Sequence, residues 1–99
     1  MATQDEFKEN AALRLKEPAQ YNVIMHNDDF TTMVFVVSVL EDIFHKDKIS
    51  AEAIMMNVHK NGRAVVGKYP YDLAITKVTE ALKRAKAQGF PFRMTVEEA

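Results

Sequence analysis

The feature that most constrains the fold of this chain is an apolar stripe in its C-terminal half. The stripe has the three- and four-residue spacing of an α-helix and consists of Tyr71, Ala74, Ile75, Val78, Ala81, Leu82 and Ala85. A helix of this kind gains most of its stability by packing the stripe against another apolar surface. The chain is therefore predicted to form a packed domain. Pro70 fits the first turn of this helix, and Gly89 ends it.

Two further segments have helical spacing, and three have the alternation of a strand. Residues 32–44 form the first amphipathic helix, and residues 51–60 form the second, with Ser50 as its N-cap and Gly62 just beyond its end. Strands are predicted at 21–26, 64–69 and 90–96. The order β-α-α-β-α-β indicates an α+β domain with the helices packed on one face of the sheet.

Composition excludes several classes of function. The 99 residues include no cysteine, which excludes disulfides, thiolate zinc sites and cysteine nucleophiles. The 14 acidic and 13 basic residues give a net charge of −1, so bulk positive charge does not attract nucleic acid. No apolar run approaches the ~20 residues of a membrane span, and no signal peptide is expected. We therefore expect a soluble cytoplasmic protein.

The first residues differ from the rest of the chain. Residues 1–19 are polar with scattered apolar side chains, and little apolar surface is available to dock a short helix at 10–16. We therefore expect a flexible N-terminal tail at 1–19 and one core domain at 20–99.

The run Asn27-Asp28-Asp29 is the first candidate for a functional site. Asn and Asp before a helix are ordinary turn and capping residues, and acidic side chains there also suit the helix dipole. The same three side chains also form a cluster of oxygen acceptors for a cation, without an excess of nearby bases to neutralise it. Spacing alone favours capping and leaves both interpretations open.

The histidines, serines and glycines indicate chemistry more weakly. His59 borders the apolar face of the second helix, where a lone histidine is more often structural than functional. Metal binding by His26, Asp28 and Asp29 is conceivable, but the chain has neither an HExxH motif nor a histidine pair at i, i+4. The two serines lie on a polar helix face and at a predicted cap, and the three glycines are isolated. Spacing alone supports no enzyme.

Three stretches taken together match the pattern of a known family. They are the segment 21–33 with its Asn-Asp-Asp turn, the segment Met-Met-Asn-Val-His-Lys-Asn-Gly at 55–62, and Thr-Lys-Val at 76–78. In these stretches the chain resembles the ClpS family, and the match extends in order over residues 20–99. The resemblance implies a three-stranded antiparallel sheet carrying three helices, in agreement with the predicted order.

The resemblance also implies a function. ClpS proteins are adaptors without catalytic activity, metal or other cofactor. They bind the free α-amino group and the bulky hydrophobic first residue (Leu, Phe, Tyr or Trp) of N-degron substrates. They deliver these substrates to the N-terminal domain of the ClpA unfoldase for degradation by ClpP, and so modulate ClpAP substrate choice. The implied partners are N-degron proteins and ClpA or a related unfoldase, without nucleic acid or membrane. We expect a monomer in the bacterial cytoplasm.

The resemblance further implies which residues bind the substrate. An ammonium group offers three donors and one charge, and the implied acceptors are Asn27, Asp28 (directly or through water) and a neutral His59. Asp29 is expected to support the turn. The implied pocket for the first side chain is formed by Thr31, Met33, Val36, Met55, Val58 and Phe92. Met33 is the expected gatekeeper against Ile and Val.

A second surface is implied on the third helix. The positions that contact the unfoldase in the family correspond to Asp72 and Lys77, and Leu73 and Thr76 lie beside them. Without the resemblance, this surface would be interpreted as a solvated helix face. The tail at 1–19 is expected to engage the unfoldase pore.

Five positions depart from the family pattern. Phe30 stands where Tyr is common, which is expected to cost only a hydroxyl contact, and Pro70 stands at the start of the partner-facing helix. Thr32 replaces a frequent proline, so the helix start is less rigid. Phe92 replaces a smaller aliphatic residue and is expected to narrow the pocket towards Leu or to change its preference between Phe and Trp. Val34 stands where a charge is usual and is expected to add an apolar contact for the second substrate residue. None of these changes removes an amine acceptor.

Two alternatives come from other functional classes. One is a small metal-dependent hydrolase that uses Asp28, Asp29 and a histidine. The other is a stalk-like scaffold that binds a partner through the third helix and ignores free N-terminal residues.

Overall fold

The computed structural model describes residues 19–99, which form one three-stranded sheet and three helices. The elements in chain order are β1 (Gln20–His26), α1 (Met33–Asp42), α2 (Lys48–Asn61), β2 (Arg63–Pro70), α3 (Tyr71–Ala87) and β3 (Arg93–Glu98). Both strand pairs are antiparallel, and the strand order is β2-β1-β3. The predicted α+β class and element order are confirmed. The tail predicted at 1–19 lies, apart from its last residue, outside the described residues and stays a prediction.

The core lies between one face of the sheet and the helices. Val23 and Met25 of the central strand are fully buried on this face, beside Ala64, Val66 and Met94 of the flanking strands. Ile24 lies on the other face of β1 and is also buried, because Val65 and Thr95 flank it in the neighbouring strands.

The first helix is shorter than its predicted range of 32–44. Thr32 is its N-cap, and its hydroxyl accepts a hydrogen bond from the Phe35 amide at 3.2 Å. The helix ends at Asp42 because the chain then turns through His45, which has a left-handed φ of 55°.

Ser50 is not the N-cap of the second helix, and that prediction is wrong. Asp47 caps α2: its carboxylate accepts from the Ser50 amide at 3.2 Å, and its carbonyl accepts from the Ala51 amide at 2.8 Å. Because both bonds form at Asp47, the helix begins at Lys48. It ends at Asn61, and Gly62 follows just beyond its end as predicted, with a φ of 85° in the left-handed conformation that glycine adopts readily.

The third helix buries a narrower stripe than the sequence predicts. Only its small and β-branched residues are buried, namely Ala74, Val78, Ala81 and Ala85. Tyr71 and Ile75, which the stripe assigned to the core, are 52% and 37% exposed. Pro70 ends β2 and precedes the helix, so it does not lie in the first turn. None of the helices within residues 19–99 is both long and apolar enough to cross a membrane.

The last strand begins later than predicted. Phe90 and Phe92 precede β3, which starts at Arg93. The Phe90 amide donates to the Ala85 carbonyl at 2.9 Å, and this bond ties the chain to the end of α3 instead of the sheet. Phe92 packs edge-on against Phe35, with ring centroids 5.6 Å apart. The shortened strand therefore leaves Phe92 free to turn towards α1.

Candidate functional site

A cavity of about 220 Å³ lies where the end of β1 meets α1 and α2. Its lining consists of His26, Asn27, Asp28, Asp29, Thr31, Met33, Val36, Met55, Val58, His59 and Phe92. Every residue predicted for amine binding, for the supporting turn and for the apolar pocket is in this lining, although their roles stay predictions. The structure thus brings together residues from four parts of the chain.

One backbone hydrogen bond joins the end of β1 to the end of α2 beside the cavity. The amide of Asn27 donates to the carbonyl of Gly62 at 2.8 Å. The amide of Gly62 in turn donates to the Val58 carbonyl at 2.9 Å, and this bond caps α2. Since His59 lies one turn before Gly62, the hydrogen bond between Asn27 and Gly62 places His59 at the same cavity as Asn27.

Asp28 organises the turn after β1. One carboxylate oxygen accepts from the Phe30 amide at 2.8 Å and from the Thr31 amide at 2.7 Å. The other accepts from the Thr31 hydroxyl at 2.7 Å. Partial burial opposes ionisation, but the hydrogen bonds from Thr31 and Phe30 outweigh it and lower the pKa of the Asp28 carboxyl below its ordinary value. The side chain is therefore a fixed negative charge at the cavity.

The structure shows the turn role of the Asn-Asp-Asp run at Asp28, and the same residue lines the cavity. The role of the run as an acceptor cluster for a cation stays a prediction. A carboxylate has about four acceptor positions, so three internal hydrogen bonds leave room for a bound donor. Asn27 and Asp29 are exposed at the rim.

The apolar side of the cavity comes from both helices and from the segment before β3. Val58 and Phe92 are buried, Val36 and Met55 are half-buried, and Met33 is 47% exposed. These side chains form an apolar wall that continues from the polar rim. The arrangement suits a ligand with a charged donor group next to an apolar group.

His26 is the lining residue that the sequence analysis considered only as a metal ligand. Its Nε2 lies 2.7 Å from the Thr95 hydroxyl, so the ring is held against β3. Desolvation, followed by the positive charges of Arg93 and Arg63, lowers the pKa of His26 below its ordinary value, and Glu97 opposes this effect. Its position directly before Asn27 is the signal in the sequence that places it at the same end of β1.

A metal centre gains no support from the described residues. Within residues 19–99, no group of three His, Asp or Glu side chains is arranged to hold a metal ion. The metal-dependent hydrolase alternative therefore has no ligand set in the part of the chain that the structure describes.

The residues predicted for the unfoldase interface lie on α3 and do not line the cavity. Asp72, Leu73 and Thr76 are exposed, and the Thr76 hydroxyl donates to the Asp72 carbonyl at 2.8 Å. Two apolar neighbours that were not predicted for this surface, Tyr71 and Ile75, are also exposed.

Lys77 differs from the other three residues because it is half-buried. Its Nζ donates to the Ile43 carbonyl at 2.7 Å, at the C-terminal end of α1. The same ammonium lies 5.7 Å from the centre of the Phe44 ring and 5.4 Å from that of Tyr69. Lys77 therefore joins α3 to the end of α1.

Comparison with known proteins places these features in a family. A family model described as "ATP-dependent Clp protease adaptor protein ClpS" matches residues 16–95. The ATP-dependent Clp protease adapter protein ClpS of Clostridium acetobutylicum is 42% identical over 100 residues, which cover 99% of each chain. That of Oleidesulfovibrio alaskensis is 50% identical over 84 residues, or 85% of this chain and 81% of the relative.

A solved structure is similar in both fold and sequence. It is the structure of Agrobacterium tumefaciens ClpS2 bound to L-phenylalaninamide, with a TM-score of 0.81 and 37% sequence identity. The alignment covers 84% of this chain and all of the Agrobacterium chain.

Proposed function

We propose that this chain, which belongs to the ClpS family of ATP-dependent Clp protease adaptor proteins, recognises the first residue of its substrates. The chain is an adaptor and not an enzyme. In the proposal it binds a free α-amino group together with a bulky hydrophobic first side chain, such as Leu, Phe, Tyr or Trp. It then delivers the substrate, as a monomer in the bacterial cytoplasm, to ClpA or a related unfoldase for degradation by ClpP, and so modulates substrate choice.

The observation that carries the proposal is the continuity between the acceptor rim and the apolar wall of one cavity. An α-ammonium group needs about three acceptors and a negative charge. Asn27, the ionised Asp28 and His59 all line the cavity, and they are the proposed acceptors. An ammonium group held there would direct the adjoining side chain towards Val58 and Phe92.

The apolar wall supplies the remaining binding energy. Transfer of a Leu or Phe side chain from water into such a pocket contributes about 1.5–3 kcal/mol. The Agrobacterium relative binds L-phenylalaninamide, which carries a free amine beside an aromatic side chain, and this supports the same ligand class here. Phe92 takes up space in the wall, and Met33 at the mouth is the proposed barrier to β-branched side chains.

Delivery requires a surface that is separate from the cavity. The proposed surface is the exposed part of α3 around Asp72, Leu73 and Thr76, with Lys77 at its edge. Leu73 is 45% exposed, and an apolar side chain between polar neighbours is a common component of a protein interface.

The test of recognition is a titration of a labelled Leu-initiated peptide, followed by fluorescence anisotropy, beside its N-acetylated twin. Free-amine binding in the micromolar range or tighter, with loss on acetylation, is the expected result. His59→Ala should weaken this binding, whereas Lys60→Gln, at the adjacent exposed position, should leave it unchanged. Equal binding of the two peptides, or absence of binding, would contradict the proposal.

The test of delivery uses the N-terminal domain of ClpA. Leu73→Ser should weaken binding to that domain without changing the affinity for the Leu-initiated peptide. If the domain binds while free-amine peptides do not, the stalk-like scaffold is the better description of the chain.

A further inference from the structure

A second depression, of about 610 Å³, lies between α1 and α2 next to the cavity. Val34, Val37 and Met56 form its apolar floor, and we call it the α1–α2 groove. Met33 and Met55 line both the groove and the cavity. The groove is thus a continuation of the proposed binding site across a shared methionine wall.

The groove is more apolar than a solvated helix face requires. Val34 is 81% exposed, Met33 is 47% exposed and Met56 is 37% exposed. Single exposed apolar residues are ordinary, but a contiguous group beside a binding cavity marks an interaction site. None of these three side chains belongs to the buried core.

Charged side chains limit the groove at its edge. Glu41, Lys48 and Glu52 line it and are all exposed. An apolar floor within a polar rim is the usual composition of a surface that binds a peptide. The floor is therefore suited to apolar side chains, and the rim can stay hydrated when they bind.

The position of the groove identifies its occupant. A peptide whose first side chain fills the cavity must leave through the mouth, where Met33 is exposed. An extended peptide advances about 3.3 Å per residue, and its side chains alternate in direction. The two residues after the first therefore lie within reach of a groove that shares a wall with the cavity.

We propose that the α1–α2 groove binds apolar side chains at the second and third positions of the N-terminal peptide. The inference rests on the proposed function and adds a specificity determinant to it. Val34 and Val37 on α1 and Met56 on α2 contact these side chains, so substrates with the same first residue are ranked by the residues that follow.

The experiment compares two free-amine peptides that begin with Leu and differ only at positions two and three, which are Leu-Val in one and Ser-Ser in the other. In the unmodified protein the apolar peptide should bind about five- to tenfold more tightly. The double variant Val34→Ser/Val37→Ser should reduce this ratio to about one. Val65→Ser, at an exposed apolar position on β2 outside both depressions, should preserve the ratio. Peptides with a single apolar replacement at each position then assign the contact to one position or to both.

Each other outcome overturns the inference in a recognisable way. Equal affinities for the two peptides in the unmodified protein would show that the groove does not bind the second and third side chains, and would leave recognition of the first residue intact. A ratio that persists in the double variant would place the contact elsewhere. Absence of binding by every free-amine peptide would overturn the proposed function and this inference together. If sedimentation shows self-association that the double variant abolishes while the peptide ratio is unchanged, the occupant is a second copy of the chain.

Discussion

The amide of Asn27 donates a hydrogen bond of 2.8 Å to the carbonyl of Gly62, although α1 and α2 lie between the two residues in the sequence. This bond fixes the end of the central strand to the end of α2. The proposed acceptors of the α-amine come from both of these ends. Their separation is therefore set by backbone geometry, and the site is largely formed before a ligand arrives.

The Thr31 hydroxyl is expected to hold the Asp28 carboxylate in place. Thr31→Val keeps the shape of the side chain and removes one of the three hydrogen bonds to Asp28, which should lower the free energy of unfolding by about 1 kcal/mol near neutral pH. The lowered pKa of Asp28 contributes stability above the ordinary carboxyl value of ~3.9, and this contribution is lost as the pH falls through the folded-state pKa. The difference between the two proteins should therefore shrink in acid, as measured by denaturant unfolding at several pH values.

Thr76→Val is the matched control for Thr31→Val. The Thr76 hydroxyl donates only to a helix carbonyl at an exposed position. Its loss should cause a smaller change that does not depend on acid pH. If both variants show the same pH dependence, the Thr31–Asp28 bond does not stabilise the turn in solution.

Met33 is expected to exclude β-branched first residues. Met33→Ala shortens the side chain at the cavity mouth and should admit peptides that begin with Ile or Val, with a gain of at least several-fold relative to a Leu peptide. Anisotropy titrations of the three peptides measure this ratio. Ile49→Ala removes an apolar side chain that is 79% exposed and lines neither depression, so it should preserve the original discrimination. Unchanged discrimination in Met33→Ala would refute the gatekeeper role.

Lys77 is expected to stabilise the domain as well as border the partner surface. Lys77→Met keeps most of the apolar stem but removes the hydrogen bond to the Ile43 carbonyl and the contacts with two rings, at a cost of about 1–2 kcal/mol. Lys83→Met, on an exposed part of the same helix, should have little effect. Thermal unfolding of the two variants measures the difference, and equal melting temperatures would contradict the role of Lys77. A loss of unfoldase binding in Lys77 variants then has to be separated from a loss of stability.

His26 is expected to be neutral in the folded protein at pH values where an unfolded chain is already protonated. Burial and the two arginines lower its pKa, whereas the unfolded value is about 6.5. The unfolded state therefore binds more protons in the interval between these values, and His26 makes stability fall as the pH drops from ~6.5 through the folded-state pKa. His26→Gln should reduce this slope. An NMR titration midpoint of the His26 ring at or above 6.5 would show that this account is wrong.

The periodicity of the sequence predicts the type and order of every element that the structure describes within 19–99, because each helix and strand presents one apolar face to a common core. It predicts boundaries less well. Ser50 is a good capping residue, but Asp47 caps α2 because the chain turns through His45 and leaves that carboxylate beside the first free amides. Phe90 continues the apolar alternation of β3, yet its amide bonds to the end of α3.

The composition of the cavity follows from the family resemblance more than from spacing. Nothing in the spacing reveals that Asn27 and His59 line one cavity, since this arrangement depends on the backbone hydrogen bond between Asn27 and Gly62. A helical wheel also fails to predict the solvent exposure of Tyr71 and Ile75. The small residues of α3 make only a narrow contact with the core, and these two side chains lie outside that contact. Lys77 shows that the position of a polar side chain also depends on tertiary contacts, because its ammonium group donates to the carbonyl of Ile43, the C-cap of α1.

The central position of β1 in the sheet affects the order in which the backbone hydrogen bonds of the molecule break. Among the strands described here, β1 has both edges paired, whereas β2 and β3 each have one. Each interior amide of β1 is hydrogen-bonded either to β2 or to β3, so complete exchange of the strand with deuterium requires both ladders to separate, an event close to global unfolding. The turn that begins with Asn27 follows this strand directly, so the amine-binding end of the site is anchored to the segment that should exchange last.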